Sequence, residues 1–586
     1  MFAAIYNPGR RRVDPGLARG GVAAHVQVLG RHGNAAVVRC SEGVVGADSD
    51  LSAIERLADR YWIVGRIRLD ARAELADRLS LAPASDALLC LHAYAAWGED
   101  FLKHLAGDFC FVLWDEPEQR LVSVRDQLGV RSLFWTEAGG TVFVSDRLDW
   151  VAARPGLGRE LDEAWIADFL VANVCADLER TVYRDIHRVA PAHALVATEG
   201  GMTTRRYWRL AVDEPIFFRD RHHYGERFRE LLGRAVTDRL PPGRVGVSMS
   251  GGLDSTTLAA AAVEVTGDPG RVVAMCDHFE RLMADEEGRF SALVARHLGI
   301  ELELRPIDDL VYDPHWRERS PPYSEPSLLV VSAGADRLAA REMAGRASVW
   351  LYGEGPDNAL ALDRDAYLSW LARRGEWLRL THALLQYAAV KGRRGWMATL
   401  RRHLGRAKVP SPHVGVPAWL DAGLASRLDV AGRLARLDEG EGPAHPWHPA
   451  AMASFGGPAW QRALGDLECD ELVAGFAWRH PFLDLRVLQF MLSVPPVPWA
   501  WEKELLRDAM RDRLPVEVLA RRKTPLAQWP LAGKLREHGL PDLSSNRRLA
   551  PYVDVARLSA AQPSDAELWS VLAVHALDHW LEAHRA

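Results

Sequence analysis

Val245-Gly246-Val247-Ser248-Met249-Ser250-Gly251-Gly252-Leu253-Asp254-Ser255-Thr256-Thr257-Leu258 is a short apolar run that stops at Ser-Gly-Gly and restarts with helical spacing. Val245 and Val247 alternate with small residues as in a buried strand. Gly251 and Gly252 supply a sharp turn with φ > 0, and Ser255 to Ala261 continues as an Ala-rich helix. The first turn of such a helix has N–H groups with no partner inside it, backed by the positive end of the helix dipole, so an anion is the natural guest of the loop. The hydroxyls of Ser250, Ser255 and Thr256 add donors. Asp254 repels phosphate unless a divalent cation lies between them. No Lys follows the glycines, which separates the string from the Walker pattern, and the plain alternative is a strand-to-helix connection.

Outward from the loop, strands and helices alternate. A helix from about Tyr224 to Leu240 leads through Pro241-Pro242-Gly243 into the opening strand. Beyond it, Arg271 to Cys276 is expected as a second parallel strand, Ser291 to Leu298 as a helix behind Asp285-Glu286, and Glu301 to Ile307 as a third strand. Ser348-Val349-Trp350-Leu351-Tyr352 is a further strand running into Gly353-Glu354-Gly355-Pro356-Asp357-Asn358. This order predicts an α/β domain with a doubly wound parallel sheet and added helices. Residues from 364 to about 450 are helical, rich in Arg and Trp and broken at Lys408-Val409-Pro410-Ser411-Pro412; they read as an insertion that shapes a pocket or receives a substrate.

Before the loop the pattern differs. Ala35 to Cys40, Tyr61 to Ile67, Phe109 to Trp114 and Thr141 to Ser145 are short, β-branched or aromatic runs, with helical periodicity over Ser85 to Trp97 and Leu161 to Val174. An α+β domain of stacked sheets flanked by helices is expected, closing near Arg205-Arg206-Tyr207-Trp208 with Asp213-Glu214-Pro215 in the linker.

The 586 residues exceed what one core usually serves, and two domains are expected. A net charge of -6 argues against a general nucleic-acid binder, leaving Arg401-Arg402 and Arg521-Arg522-Lys523 as local anion-site candidates. Cys40, Cys90, Cys110, Cys175, Cys276 and Cys469 are scattered singly, without metal-ligand spacing. Reduced, mostly buried thiols and a cytoplasmic protein are the expectation. Neither a secretion signal nor a membrane span is indicated.

Several strings in order carry a family resemblance. Ser-Gly-Gly-Leu-Asp-Ser-Thr resembles the pyrophosphate-binding loop of the ATP pyrophosphatase superfamily. Val64 to Asp70, Gly107 to Asp115 and Val124 to Trp135 resemble the amidotransferase half of asparagine synthetases and their relatives. Taken singly, these have a structural explanation in turns at Gly107 and Gly129 and an Arg125–Asp126 ion pair. Trp478-Arg479-His480-Pro481-Phe482-Leu483-Asp484 and Trp501-Glu502-Lys503-Glu504-Leu505-Leu506-Arg507 resemble the later strings of the same family. The resemblance implies a class II glutamine amidotransferase-like domain over 1–210 and an adenylating, asparagine synthetase-like domain over 211–586. It implies ATP and Mg²⁺ as cofactors, with Ser248, Ser250, Gly251, Gly252, Leu253, Asp254, Ser255, Thr256, Met275, Gly353 and Gly355 around the nucleotide. Asp254 and Asp357 would hold the metal, because Mg²⁺ takes one or two protein carboxylates with phosphate oxygens. Asp357 as a cap of a helix over Asn358 to Leu362 is the alternative. Lys503 would stabilise the charge of the tetrahedral oxyanion and departing AMP, the alternative being a solvated helix face between Glu502 and Glu504. Glu354 is the candidate proton acceptor for an attacking amine, or else an orienting group.

One departure decides the reaction. Glutamine-dependent members place a Cys after the initiator Met, where the processed N-terminal amine can serve as its base. Phe2 stands there, so no glutaminase activity is expected and the amine must come from the substrate. Relatives lacking that Cys include β-lactam synthetases and lasso peptide cyclases. Length and the Arg- and Trp-rich insertion favour the cyclase branch: an ATP-dependent macrolactam synthesis in which an Asp or Glu side chain of a leader-free core peptide is adenylated and joined to the peptide's N-terminal amine. Its partners would be that core peptide, a leader-binding protein and a leader peptidase. A β-lactam synthetase-type ligase, an ammonia-dependent asparagine synthetase and a catalytically inert scaffold are the alternatives.

Overall fold

The computed structural model describes residues 1–16, 24–40, 50–321, 323–388, 415–439, 444–469, 475–522, 530–543, 548–561, 563–565 and 567–584. Arg401-Arg402, the Lys408 to Pro412 break and Lys523 lie outside the described residues.

The first half contains β1 (Phe2–Tyr6), β2 (Ala24–Leu29), β3 (Ala35–Cys40), β4 (Glu55–Leu57), β5 (Tyr61–Leu69), β6 (Gly107–Asp115), β7 (Arg120–Arg125), β8 (Phe134–Ala138), β9 (Thr141–Ser145), β10 (His187–Arg188), β11 (His193–Thr198) and β12 (Gly201–Arg206), with helices α1 (Asp86–Trp97) and α2 (Glu163–Ala172). Two six-stranded sheets form, in orders β10-β8-β9-β1-β3-β2 and β12-β11-β7-β6-β5-β4. Because side chains alternate across a strand, β1 serves two cores. Phe2, Ala4 and Tyr6 face the second sheet and pack with Val64, Val112 and Trp114, while Ala3 and Ile5 face α2 through Ile166 and Phe169. The far face of the second sheet, Ile63, Phe109, Phe111 and Leu113, is covered by Leu89 and Leu91 of α1. The result is a helix–sheet–sheet–helix stack, as the strand-rich sequence pattern implies.

The second half opens with α3 (His222–Thr237), then β13 (Val245–Ser248), α4 (Leu253–Thr266), β14 (Val272–His278), α5 (Glu287–Leu298), β15 (Glu301–Pro306), β16 (Val349–Leu351) and β17 (Ala477–Arg479), followed by α6 (Leu485–Ser493), α7 (Glu504–Ala509) and α8 (Leu568–Ala583). All five strands are parallel, in order β15-β14-β13-β16-β17. The chain steps outward from β13 through β14 to β15, then crosses to β16 on the other side of β13. That reversal is a topological switch point, the place where open α/β sheets bind ligands outside their strand ends. The Ser250–Asp254 loop leaves β13 at this place. Gly246 is required in β13 because a Cβ would lie 2.1 Å from the indole of Trp350 on β16. β17 was not expected: three residues carry no periodic signal, and Trp478-Arg479 reads as a motif rather than a strand.

The halves are joined by apolar and ionic contacts. Leu128 and Val130, after β7, pack with the second half's core, and α8 returns to α2 and the first sheet's outer face through Leu572, Ala576 and Trp580. Burial pushes the Cys276 thiol up to about 12 and raises those of Cys90 and Cys110 as well. Among the described residues no helix is long and apolar enough to cross a membrane.

Candidate functional site

The loop after β13 turns on one residue. Gly251 has φ +64, and a Cβ there would stand 2.7 Å from the Glu287 carbonyl oxygen and 2.9 Å from Phe290 Cβ on α5. Any side chain would therefore meet both an unfavourable backbone angle and backbone atoms of the neighbouring helix. Gly252 differs from expectation. It has φ -75 and ψ 162 as the N-cap of α4, so the turn needs one left-handed residue rather than two.

The loop hydroxyls are partly committed. The Ser250 amide donates to Ser255 Oγ at 3.0 Å, and Ser255 Oγ donates to the Gly252 carbonyl at 3.3 Å. Thr256, expected to present its hydroxyl to an anion, is fully buried and donates to Gly252 O at 2.8 Å and Leu253 O at 3.1 Å inside its own helix. A hydroxyl one turn into a helix bonds back to the preceding carbonyls, so Thr256 shapes the first turn instead of facing the loop mouth. Ser250 is exposed, and Ser248 and Leu253 are half-buried beside it. Met275 is buried opposite Ser248 in the β13–β14 register, and its carbonyl accepts from Met249 N at 2.8 Å.

The second motif arrives from the adjoining strand. β16 delivers Tyr352, Gly353 and Glu354 beside the first turn of α4: a Cβ on Gly353 would lie 3.3 Å from the Ser255 amide nitrogen. Gly355 caps a short helix, Pro356–Ala359. Asp357 lies inside its first turn, so neither the helix over Asn358 to Leu362 nor the capping role for Asp357 is found. Glu354 is half-buried, and burial followed by its charge raises the neighbouring Tyr352 phenol.

Lys503 joins the two motifs. Glu502 and Lys503 are successive non-glycine residues with φ 45 and 58, and Lys503 caps α7 from the left-handed region. This backbone lifts Lys503 off the helix face, and its Nζ lies 2.5 Å from Asp254 and 2.7 Å from Asp357. The two carboxylates come from the C-terminal ends of adjacent strands and converge on one point, which a single ammonium fills. Two hard oxygen donors converging in this way fit a Mg²⁺ site that takes its remaining oxygens from phosphate and water.

Sequence reasoning missed Glu287. It opens α5 behind the loop, and burial, with repulsion from Asp285, raises its carboxyl to about 7. Arg521, one of the basic run, partly offsets that rise and lies 4.5 Å over the Phe290 ring. The Asp285-Glu286-Glu287 run was the available signal, since like charges crowded at a helix start raise one another's carboxyl pKa.

The fold and the site together define a two-domain chain: an amidotransferase-like stack of antiparallel sheets, joined to a parallel sheet with a phosphate-type loop at its switch point. Residues 68–208 match the glutamine amidotransferase domain, and residues 227–582, more than half of the chain, match asparagine synthase. The chain belongs to the asparagine synthase family. Glutamine-hydrolysing asparagine synthetase 3 of Bacillus subtilis is 29% identical over 211 residues, 35% of this chain and 34% of that protein. The amidase chyE of Penicillium rubens is 26% identical over 253 residues, 41% of this chain and 37% of that protein. The chain thus spans about a third of the length of these relatives. A Mycobacterium tuberculosis protein whose name includes asparagine synthetase (glutamine-hydrolyzing) is 26% identical over 546 residues, 85% of this chain and 80% of that protein.

Proposed function

We propose that this chain is an ATP-dependent amide-bond-forming ligase that converts a carboxylate to an acyl-adenylate with release of pyrophosphate, then joins it to an amine and releases AMP. The carrying observation is the convergence of Asp254, Asp357 and Lys503 at the ends of β13 and β16. Mg²⁺ held by the two aspartates would screen the phosphates of ATP from them. The Gly251 turn and the first amides of α4 offer donors to the phosphates. Lys503, freed from the aspartates, supplies a positive charge where negative charge develops on the leaving group. Glu354, on the same turn as Asp357, is the group that takes the proton from the amine or orients the one that does.

The specific reaction we propose is macrolactam formation in a lasso peptide: an Asp or Glu side chain of a leader-free core peptide is activated and attacked by the peptide's own N-terminal amine. Support comes from position 2. Phe2, the first residue of β1, is fully buried between the sheets and has no nucleophilic atom. An amine already present on the activated substrate gains by proximity what an external donor would lack. A leader-binding protein and a leader peptidase would supply such a peptide. The family match and the names of its relatives favour a second reading, an ammonia-dependent synthesis of asparagine. Incubation with Mg-ATP and each candidate substrate separates these. A peptide product lighter by one water, formed with equimolar pyrophosphate and AMP, supports the cyclase. The same loss from a small β-amino acid, or asparagine from aspartate and ammonia, overturns it.

A further inference from the structure

A chain of buried charges crosses between the two halves. Asp50, on the approach to β4, accepts from Arg131 at 2.7 Å through Oδ2 and from Arg479 at 2.6 Å through Oδ1. Arg131 reaches on to Glu468 at 2.5 Å, and Glu468 faces His480 Nε2 at 3.1 Å. Asp50, Arg131, Arg479 and His480 are all buried. Asp50 is fixed to the first half by its carbonyl, which accepts from Ile67 N on β5 at 2.7 Å. Along Arg479, Asp50, Arg131 and Glu468 guanidiniums and carboxylates alternate, so each charge is neighboured by its opposite, and the far end rests on His480, next to Arg479 in sequence.

The chain ends on the edge strand of the parallel sheet. β17 is three residues long and pairs with an equally short β16, so few ladder bonds join them. Arg479 O accepts from Tyr352 N at 2.9 Å, and the Tyr352 ring meets those of Trp478 and His480 edge-on at 5.3 and 6.1 Å. Tyr352 is the residue from which the Gly353–Asp357 turn departs. A path of direct contacts therefore runs from β5 through Asp50 and Arg479 to the turn that carries Glu354 and Asp357.

We infer that Asp50 is a positioning residue: through Arg479 the first domain holds the Tyr352–Asp357 turn in place, so that a domain without a thiol at position 2 still serves the site in the second. The use of that turn in catalysis rests on the ligase reading; its mechanical support does not. A second buried interdomain web supplies the control. Arg239 pairs with Asp70 at 2.7 Å and with Asp484 at 2.9 Å, but it is attached to the end of α3 and the start of α6 rather than to β16 or β17.

The test compares Asp50→Asn with Asp70→Asn by hydrogen–deuterium exchange over residues 352–357 and by pyrophosphate release per folded molecule. Both variants leave guanidiniums short of a buried partner, and both are expected to lower Tm. D50N is expected to speed exchange of these amides by about fivefold or more, the factor given by loss of one hydrogen bond's net worth, and to lower kcat with little change in KM for ATP. D50E is expected to restore part of both. D70N is expected to change exchange at 352–357 and kcat clearly less than D50N does, because its web reaches Asp50 only through longer-range charge and makes no bond to β16 or β17. Unchanged exchange in D50N overturns the inference, as does equal acceleration in D70N. If D50N does not fold, Arg479→Lys, which keeps the charge and loses the fork, is read in the same way. Exchange does not depend on turnover, so failure of the ligase reading would show instead as an inactive wild type.

Discussion

Replacing Lys503 by Met should tighten divalent-ion binding at the site in the absence of nucleotide. The ammonium is held by two aspartates at 2.5 and 2.7 Å, and the Lys503 and Asp254 side chains are only 16% and 17% exposed. A charge-assisted hydrogen bond of this partly shielded kind contributes ~2 kcal/mol. Asp357 is 47% exposed, and water and salt reduce its share to under ~1 kcal/mol. An ion entering the wild-type site must displace the ammonium and forgo about 2–3 kcal/mol, a factor of about 30–150 in affinity. In K503M the aspartates are left facing each other without that cation, and the penalty is absent.

Mn²⁺ titrations followed by electron paramagnetic resonance, without nucleotide and at low salt, measure this directly. A second variant, Asp254→Asn with K503M, should abolish the gain. K503M that binds Mn²⁺ no more tightly than wild type would refute the competition and with it the view that the ammonium occupies the cation position. Lys503→Gly gives an independent check. The left-handed backbone at 502 and 503 costs about 1–3 kcal/mol per non-glycine residue, so K503G should retain a higher Tm than K503M while showing the same gain in Mn²⁺ affinity.

Three further outcomes are expected. Gly251→Ala should lower stability by roughly 1–3 kcal/mol and weaken ATP binding, because its Cβ would meet the Glu287 carbonyl; thermal melts with and without Mg-ATP check this. Glu287 titrates near 7 in the folded chain against an ordinary 4.5, so the folded state keeps a proton that the unfolded state loses across that interval. Stability should therefore fall by ~1–2 kcal/mol as pH rises from about 4.5 to 7, and Glu287→Gln should flatten that stretch of the denaturant-midpoint profile. Phe2→Ala should cost about 3–5 kcal/mol in Tm-derived stability while leaving pyrophosphate release per folded molecule unchanged, since Phe2 is core and touches neither the loop nor Lys503.

Local chemistry explains what could be read from the chain. The β13–loop–α4 unit, β14, β15 and α5 each carry their own periodicity or turn residue, and all form close to where the sequence puts them. The strand-rich half is likewise legible in β3, β5, β6 and β9, whose β-branched or aromatic runs are buried on both faces, whereas β1, equally buried, was not anticipated. What was misjudged depends on neighbours. Gly252 was given a positive φ that only Gly251 needs, because the tight spot is made by α5, far along the chain. Thr256 was counted as an anion donor because its hydroxyl is chemically suitable, but the carbonyls one turn back claim it first.

The site itself shows the limit most sharply. Asp254, Asp357 and Lys503 were singled out one by one, each beside a plain alternative: a connection, a cap, a solvated face. Their convergence rests on a switch in strand order and on a left-handed pair at 502–503 that nothing in Trp501-Glu502-Lys503-Glu504 announces. The charge chain through Asp50 is less legible still. Its members are an Asp before β4, an Arg after β7, a Glu after a helix and an Arg-His pair at the end of a three-residue strand, with partners 12 to 429 positions apart along the sequence. No periodicity links such residues. They can be recognised as a unit only because burying any one charge without the others would cost several kcal/mol, which makes the chain of charges a joint property of both domains.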